Sequence, residues 1–328
     1  MARGPVVGLD IGKDYIRIAE LKKQGKMVVL HYADSEQLPS GATDDVKKEA
    51  IKKLFSRAVT KNKNVAIAMP TENVIIKKKT VLTRVNLMET EELLRTDGKT
   101  VIGLDMDMVQ FDFQYIDDEN LLILACRKNL IDDRVALCEE CGLKVTAVEA
   151  ENTALLNAYR YANNADDKVS AIIIDVGYYT TTVLGFDNGI PIYSKEHTTG
   201  ISKLDNTIAD KYGLSLSDAC LSRRKNGLPP DFEDAILRPF QQMFSTELFR
   251  AADILQASIP DIKDPKITLT GHTHWLLDIV PLLQDKTGLD VSLFNLPIIY
   301  GQKVDKELVI PNNGPLALAI GLSLRGVC

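Results

Sequence analysis

Residues 170–200 read SAIIIDVGYYTTTVLGFDNGIPIYSKEHTTG, and this stretch decides the fold. Its apolar, β-branched start predicts a buried strand that ends on Asp175, with Gly177 two residues later. Further strands are predicted over residues 180–186 and 190–194, and the Asp-Asn-Gly turn between them favours a hairpin. Such an acidic strand end suits a metal-bound phosphate, because glycine lets backbone N–H groups approach the anion and the carboxylate orders Mg²⁺ or its waters.

The same pattern occurs near the start of the chain. Residues 6–20 read VVGLDIGKDYIRIAE, in which Asp10 and Gly12 stand between a first strand and a return strand over residues 15–21. Either copy alone is as consistent with a purely structural turn as with a ligand site. Two copies far apart favour two similar halves that face one phosphate-bearing ligand.

Length and composition predict a soluble globular protein of two domains, since 328 residues with 45% hydrophobic and 26% charged residues can bury a large core. A net charge of −6 argues against general nucleic-acid binding. We see no apolar run long enough to cross a bilayer and no secretory signal. Five cysteines, an odd number, favour a reducing cytoplasm.

The pattern around the first hairpin predicts a mixed α/β layer. A third strand over residues 27–32 is followed by a helix over 43–59, with Thr43 as its N-cap, and by a strand over 65–69. This order of three strands, a helix and a strand differs from an alternating βαβ series.

Residues 73–145 predict a compact inserted subdomain. Strands are expected over residues 74–82, 110–116 and 121–126, and helices over 89–95, ending near Asp97-Gly98, and over 129–141. In the second of these strands Phe111, Phe113 and Tyr115 alternate with polar residues. The Cys138 and Cys141 pair is better interpreted as structural than as a redox or zinc site, because no second Cys or His pair is spaced to complete one.

The rest of the chain alternates strands and helices. A strand over 145–148 precedes a helix capped by Asn152 or Thr153, and Pro239 is expected to kink or divide a long helix over 232–257. Other helices are expected over 204–213, 215–224, 275–283 and 316–324, the last of them buried, and other strands over 266–271 and 291–293.

These elements resemble the actin-like ATPase superfamily and, within it, the PilM family of type IV pilus assembly proteins, over nearly the whole chain. The closest stretches are VQFDFQY at 109–115, LILACRKN at 122–129, CGLKV at 141–145, IDVG at 174–177 with TTT at 180–182, and GLSLSDA at 213–219.

The resemblance implies an α/β, actin-like (ribonuclease H-like) two-domain fold with the inserted subdomain of FtsA and PilM. The implied parts are the first domain at 1–72 and 146–170, the insertion at 73–145, the second domain at 171–311, and a helix at 312–328 that packs back on the core.

The resemblance also implies that ATP and Mg²⁺ bind between the two halves. Asp10 and Asp175 would flank the metal, directly or through water, and Glu151 would position a water, although an acid at a helix start is an equally good interpretation. The implied nucleotide-binding residues are Asp10, Gly12, Lys13, Asp175, Gly177, Glu247, Arg250 and Gly271.

Three contact loops depart from the family pattern. Lys13 replaces a Ser or Thr, Tyr178 and Tyr179 replace small residues, and His272 replaces a glycine. Bulk at these contact loops predicts weak or absent nucleotide binding and ATPase activity. His272 and His274 as metal ligands would lack a third ligand.

Three functions stay open from the sequence. The first is a cytoplasmic scaffold, peripheral to the inner membrane through its partner, that binds the N-terminal cytoplasmic tail of an inner-membrane pilus or secretion protein. Such a tail would bind at the insertion, contacting Phe111, Phe113 and Tyr115 unless these only pack the subdomain core. The second is an ATPase or small-molecule kinase, and the third is the cytoplasmic domain of a GspL-like type II secretion protein. Direct membrane insertion is not expected, and a homo-oligomer or ring is left open.

Overall fold

The computed structural model describes residues 5–25, 27–39, 41–225, 227–258, 265–273, 278–297, 299–304, 308–309 and 312–327. The strands are β1 (Val7–Ile11), β2 (Tyr15–Gln24), β3 (Met27–Gln37), β4 (Asn64–Met69), β5 (Val74–Thr80), β6 (Val109–Tyr115), β7 (Asn120–Arg127), β8 (Lys144–Ala150), β9 (Ala171–Val176), β10 (Thr181–Asp187), β11 (Ile190–His197), β12 (Lys266–Gly271), β13 (Val291–Leu293) and β14 (Ile299–Val304). The helices are α1 (Asp44–Arg57), α2 (Leu87–Ile102), α3 (Lys128–Glu139), α4 (Glu151–Asn163), α5 (Ser202–Tyr212), α6 (Leu216–Arg224), α7 (Arg238–Ser258), α8 (Ile279–Thr287) and α9 (Ala317–Leu324).

The first domain is built on a six-stranded sheet in the order β14-β3-β2-β1-β4-β8. Side chains alternate along β1, so Val7, Leu9 and Ile11 join the core formed with α1 and α3. Gly8 and Asp10 therefore face the opposite side of the sheet, toward the second domain. Because β14 pairs in parallel with β3, a late segment of the chain completes the first sheet, which the sequence did not predict.

The second domain repeats this design on a five-stranded sheet in the order β11-β10-β9-β12-β13. Ile172, Ile174 and Val176 of β9 join the core formed with α5 to α8, which leaves Asp175 on the other face. Between β10 and β11, Asn188 and Gly189 adopt φ angles of 49° and 74°, so the predicted Asn-Gly hairpin turn is confirmed.

Helices α4 and α9 lie between the two sheets and share one core with both of them. Two glycines make this packing close. A β-carbon on Gly8 of β1 would overlap the carbonyl oxygen of Ala319 in α9, and one on Gly321 of α9 would overlap the carbonyl oxygen of Ala154 in α4. The predicted burial of α9 is confirmed, since every residue of that helix is buried.

The insertion has a three-stranded sheet in the order β5-β7-β6, with α2 packed on one face. Phe111, Phe113 and Tyr115 point toward α2 and pack against the subdomain's own core. Helix α3, which lies within the predicted bounds of the insertion, buries Leu137 and Cys138 in the core of the first domain.

Several element ends differ from the prediction. Helix α2 does not end near Gly98 but continues to Ile102, because Gly98 is buried against the Met106 side chain and packing outweighs its low helix propensity. Thr43 stands at the N-cap of α1 but makes no side-chain capping bond. Helix α4 begins at Glu151 after Ala150, so neither Asn152 nor Thr153 is its cap.

Two further expectations concern the second half of the chain. Pro239 follows a π-helical turn, Glu233–Leu237, and lies in the first turn of α7, where proline is tolerated. His274 and Trp275 lie outside the described residues, and the described part of their predicted helix begins at Ile279. Across the described ranges, no helix has the length and apolar composition needed to cross a membrane.

Candidate functional site

The loops of the two hairpins β1-β2 and β9-β10 face each other at a central cleft between the domains. The amide of Gly12 donates to the Tyr15 carbonyl at 2.9 Å, and the amide of Gly177 donates to the Thr180 carbonyl at 2.9 Å. A β-carbon at either glycine would approach that same carbonyl oxygen within 2.8 and 2.7 Å, respectively. The two turns are thus built alike, and their glycine amides close the turns and do not point freely at a ligand.

The central cleft brings together most of the residues that the resemblance implicated. It has a volume of about 290 Å³. Its lining includes the predicted residues Asp10, Gly12, Lys13, Glu151, Asp175, Gly177 and Gly271. Gly271, with φ of 76°, packs so closely on Val176 of the neighbouring strand that a side chain there would overlap its carbonyl oxygen.

Three carboxyl groups in the cleft are poorly hydrated. Burial raises the pKa of Asp10 to about 6, although the Arg17 guanidinium at 3.4 Å opposes the shift. Burial, followed by the negative charges of Asp175 and Asp10, raises the pKa of Glu151 to about 7. Burial also raises the pKa of Asp175, against the hydrogen bond that it accepts from the Thr270 hydroxyl at 2.6 Å. A cation in the cleft would therefore be stabilised by these groups.

Glu151 also joins the cleft to the root of the insertion. Its Oε2 atom accepts hydrogen bonds from the Thr71 amide at 3.1 Å and from the Thr71 hydroxyl at 3.2 Å. Thr71 lies in the short 3₁₀ turn that leads directly into β5. Because Glu151 begins α4, one carboxylate fixes the start of a central helix and the start of the inserted sheet together.

Lys13 forms an ionic bridge across the mouth of the cleft. Its Nζ atom lies 3.4 Å from Oε1 of Glu72, in the first domain, and 3.7 Å from Oε2 of Glu196, on β11 of the second domain. Burial alone would lower the pKa of Lys13, but the two glutamates raise it overall, so the ammonium stays charged. The sequence identified Lys13 as a departure from the family but not its two partners, which lie 59 and 183 positions away.

His272 forms a second cross-domain contact at the floor of the cleft. Its Nε2 atom lies 3.0 Å from Oδ2 of Asp14 and 3.1 Å from Nη2 of Arg17, both of them on the first hairpin. Burial lowers the pKa of His272 against the opposing effect of Asp14. The pairing of β1 with β2 would have identified Arg17 as a cleft residue, since it stands directly across the ladder from Asp10.

Tyr178, expected to add bulk at the second hairpin, lines the cleft, and its ring lies edge-on to that of His272 with the ring centroids 6.4 Å apart. The ring packs against the core of the second domain, and the hydroxyl forms a hydrogen bond with Asp205.

Arg134 of α3 also lines the cleft, and the sequence did not indicate it. It donates a hydrogen bond from Nη2 to the Ile11 carbonyl at 2.7 Å, and burial lowers its pKa.

Glu247 and Arg250 are not among the residues that line the central cleft. They line a second recess, together with His197, Phe244 and Ile254. Glu247 forms an ion pair with Lys203 at 3.2 Å. That Glu247 and Arg250 contact the nucleoside, as the resemblance implies, stays a prediction.

A bound Mg-ATP fits these residues only in part. The buried carboxylates suit a metal held through water or phosphate oxygens. Within the described ranges, no three or more His, Cys, Asp or Glu side chains are arranged to hold a metal by themselves. His272, held by Asp14 and Arg17, lies where the resemblance implies a glycine, and the cleft volume of about 290 Å³ is at the lower end of the usual range of roughly 300–1,000 Å³ for ligand pockets.

Comparison with known proteins agrees with this architecture. Over 99% of both chains, the structure superposes with a TM-score of 0.76 and 22% identity on a protein from a "PilM-PilN type IV pilus biogenesis complex". Ethanolamine utilization protein EutJ from Carboxydothermus hydrogenoformans follows with a TM-score of 0.58 and 13% identity, over 99% of this chain and 91% of that one. MreB5 of Spiroplasma citri, solved with ADP, has a TM-score of 0.50 and 14% identity, over 98% of this chain and 95% of that one.

The predicted actin-like fold with its two similar halves is therefore confirmed. The family model for the type IV pilus assembly protein PilM matches residues 8–327, which include both hairpins, the insertion and α9. The chain belongs to the PilM family of type IV pilus assembly proteins.

Proposed function

We propose that this protein is a cytoplasmic scaffold of a type IV pilus assembly complex, bound to the inner membrane through the short N-terminal tail of a membrane protein. The superposition on a protein from a PilM-PilN complex supports a membrane partner of the PilN kind. The observation that carries the proposal is the edge strand β5 of the inserted sheet, which lies beside partly exposed apolar side chains on the face of the sheet that α2 does not cover.

This surface, the far face, is defined by the strand register. Leu122, Leu124 and Cys126 of the central strand β7 point away from α2, next to Ile76 of β5. Leu122 and Cys126 are already buried, with 4% and 6% of their surface exposed, whereas Leu124 and Ile76 are partly exposed. Partly exposed apolar side chains beside an edge strand suit an extended partner peptide.

The far face also has the edges that an extended peptide needs. Strands β5 and β6 both lie at edges of the inserted sheet, so their outer backbone groups are available for pairing. On β5, Ile76 is partly exposed and Lys78 is exposed on the far face. A tail could add a strand there, with backbone hydrogen bonds for affinity and side chains against Ile76 for specificity. Phe111, Phe113 and Tyr115, which face α2, would then support the sheet from behind.

We expect Ile76→Glu and Lys78→Glu each to weaken binding of a synthetic tail peptide from the organism's own PilN-type protein by at least about tenfold, because each places a carboxylate against the docked strand. Fluorescence anisotropy measures the affinity, and thermal unfolding checks that the variants fold. Glu92→Lys, on the exposed side of α2, is the matched control and should bind as the wild type does. Unchanged affinity in both folded variants would place the tail elsewhere.

Nucleotide binding is proposed to be weak, because Lys13 is held by two glutamates and His272 is held by Asp14 and Arg17. Isothermal titration with Mg-ATP should give little heat at micromolar protein concentrations. A micromolar or tighter response that Asp175→Ala abolishes would instead favour a working ATPase, in which Glu151, with a pKa near neutrality, would suit a general base.

A further inference from the structure

The two cross-domain contacts of the cleft both start in the first hairpin, but they differ in kind. At the floor, Asp14 and Arg17 meet His272 among buried side chains. At the mouth, Lys13 meets Glu72 and Glu196 while its side chain is 59% exposed. The floor contact is shielded from solvent, whereas the mouth contact is open to water and salt.

The geometry of the mouth is specific to Lys13. Lys47 also lines the cleft, but its Nζ atom pairs with Asp44 on its own helix at 2.9 Å. In the described part of the cleft lining, Lys13 is the lysine that forms an ion pair with the opposite domain, through Glu196. Glu196 reaches it from β11, where it stands across the ladder from Thr182 and faces the cleft.

We propose that Lys13, Glu72 and Glu196 form a switchable ionic bridge that holds the mouth of the cleft closed without a ligand. In this state the positive charge that a phosphate-binding loop needs is neutralised by the protein's own carboxylates. An anion entering the cleft must compete with Glu72 and Glu196 for Lys13. When it does, the link between Lys13 and strand β11 of the second domain is released, while the floor contact at His272 and the contacts of Arg224 with Tyr15 and Gln37 remain.

The bridge changes the ratio of closed to open molecules and does not hold every molecule closed. Exposed ion pairs contribute little, because water and salt screen them and two long side chains must be ordered. From that range we expect loss of the Lys13–Glu196 pair to change the closed-to-open ratio by a factor of about two to five. The effect should shrink as ionic strength rises, since exposed charges are screened over about 10 Å at 0.1 M salt.

Amide hydrogen exchange on the full chain tests the proposal. For each substitution, the exchange rate is measured in the domain that does not carry the substitution. Lys13→Gln should speed exchange in residues 194–198 of the second domain by about two- to fivefold, and Glu196→Gln should do the same in residues 12–15 of the first. The double variant should exchange no faster than either single variant, because the same bridge is already broken. Lys47→Gln, which removes a cleft lysine that pairs within one helix, should match the wild type.

Salt supplies a second measurement. Raising NaCl from 50 mM to 500 mM should speed exchange at both segments in the wild type and leave Lys13→Gln unchanged. The proposal is overturned if each single variant alters only its own segment, if the double variant shows the sum of both effects, or if wild type and Lys13→Gln respond equally to salt. Because no partner peptide or nucleotide is present, these results are independent of the tail-binding experiment.

Discussion

Gly8→Ala is expected to prevent stable folding, or to lower the free energy of unfolding by about 3 kcal/mol or more. The added methyl would occupy the position of the Ala319 carbonyl oxygen in α9. That obstacle is backbone in a helix that is buried on all sides, so it cannot rotate away as a side chain would. Urea denaturation of the soluble fraction measures the loss.

Gly227→Ala is the control for this substitution. The nearest atom to its added β-carbon would be 3.7 Å away, and its φ is not in the left-handed region. The change should be neutral or stabilising by up to about 1 kcal/mol, because alanine restricts the unfolded chain. An unaltered unfolding midpoint for Gly8→Ala would contradict the contact between β1 and α9.

Glu151→Gln is expected to stabilise the protein by about 2 kcal/mol at pH 8, and the gain should disappear near pH 4. Glu151 has its pKa raised from 4.5 to about 7 in the folded protein. Between these values the folded state keeps the proton that the unfolded state loses, so the stability due to this group falls as pH rises to about 7. A shift of this size corresponds to roughly 3 kcal/mol, which we reduce because the residue is partly exposed.

Denaturation midpoints at several pH values between 4 and 8 measure this difference. Glutamine keeps an oxygen that accepts from Thr71, so the substitution removes the charge and preserves the acceptor. Glu119→Gln, in the exposed β6-β7 turn, should show no pH-dependent gain. A destabilised Glu151→Gln at pH 8 would mean that the carboxylate is ionised and favourably paired in the folded protein.

The two hairpins could be predicted because their information is local. The β-branched runs that stop at Asp-x-Gly indicate each strand and the turn after it. The alternation of side chains along a strand then determines which face of the sheet each aspartate is on. Because Leu9 and Ile174 pack in cores on the sides of the two sheets that face away from each other, Asp10 and Asp175 must face the space between the domains. The meeting of these two carboxylates in one cleft follows from this pattern once the fold is known.

The missed features depend on contacts between distant parts of the chain. The pairing of β14 with β3 joins segments about 270 positions apart, and the sequence of neither segment indicates which strand it pairs with. His272 could be identified as unusual, but its contacts with Asp14 and Arg17 require the relative placement of two domains. The full length of α2 likewise depends on Met106, which covers Gly98 after the chain has turned back.

The position of β14 and α9 has a consequence for synthesis of the protein on the ribosome. The first domain begins at β1, yet its sheet gains its edge strand only at residues 299–304 and its inner helix only at 317–324. Until those residues emerge, the inner face of β1, including Gly8, has no helix to cover it. The second domain, whose own strands lie within residues 171–293, can form its sheet earlier. We therefore expect the nascent chain to complete its domains in reverse order, with the first domain exposed to chaperones and proteases for most of translation.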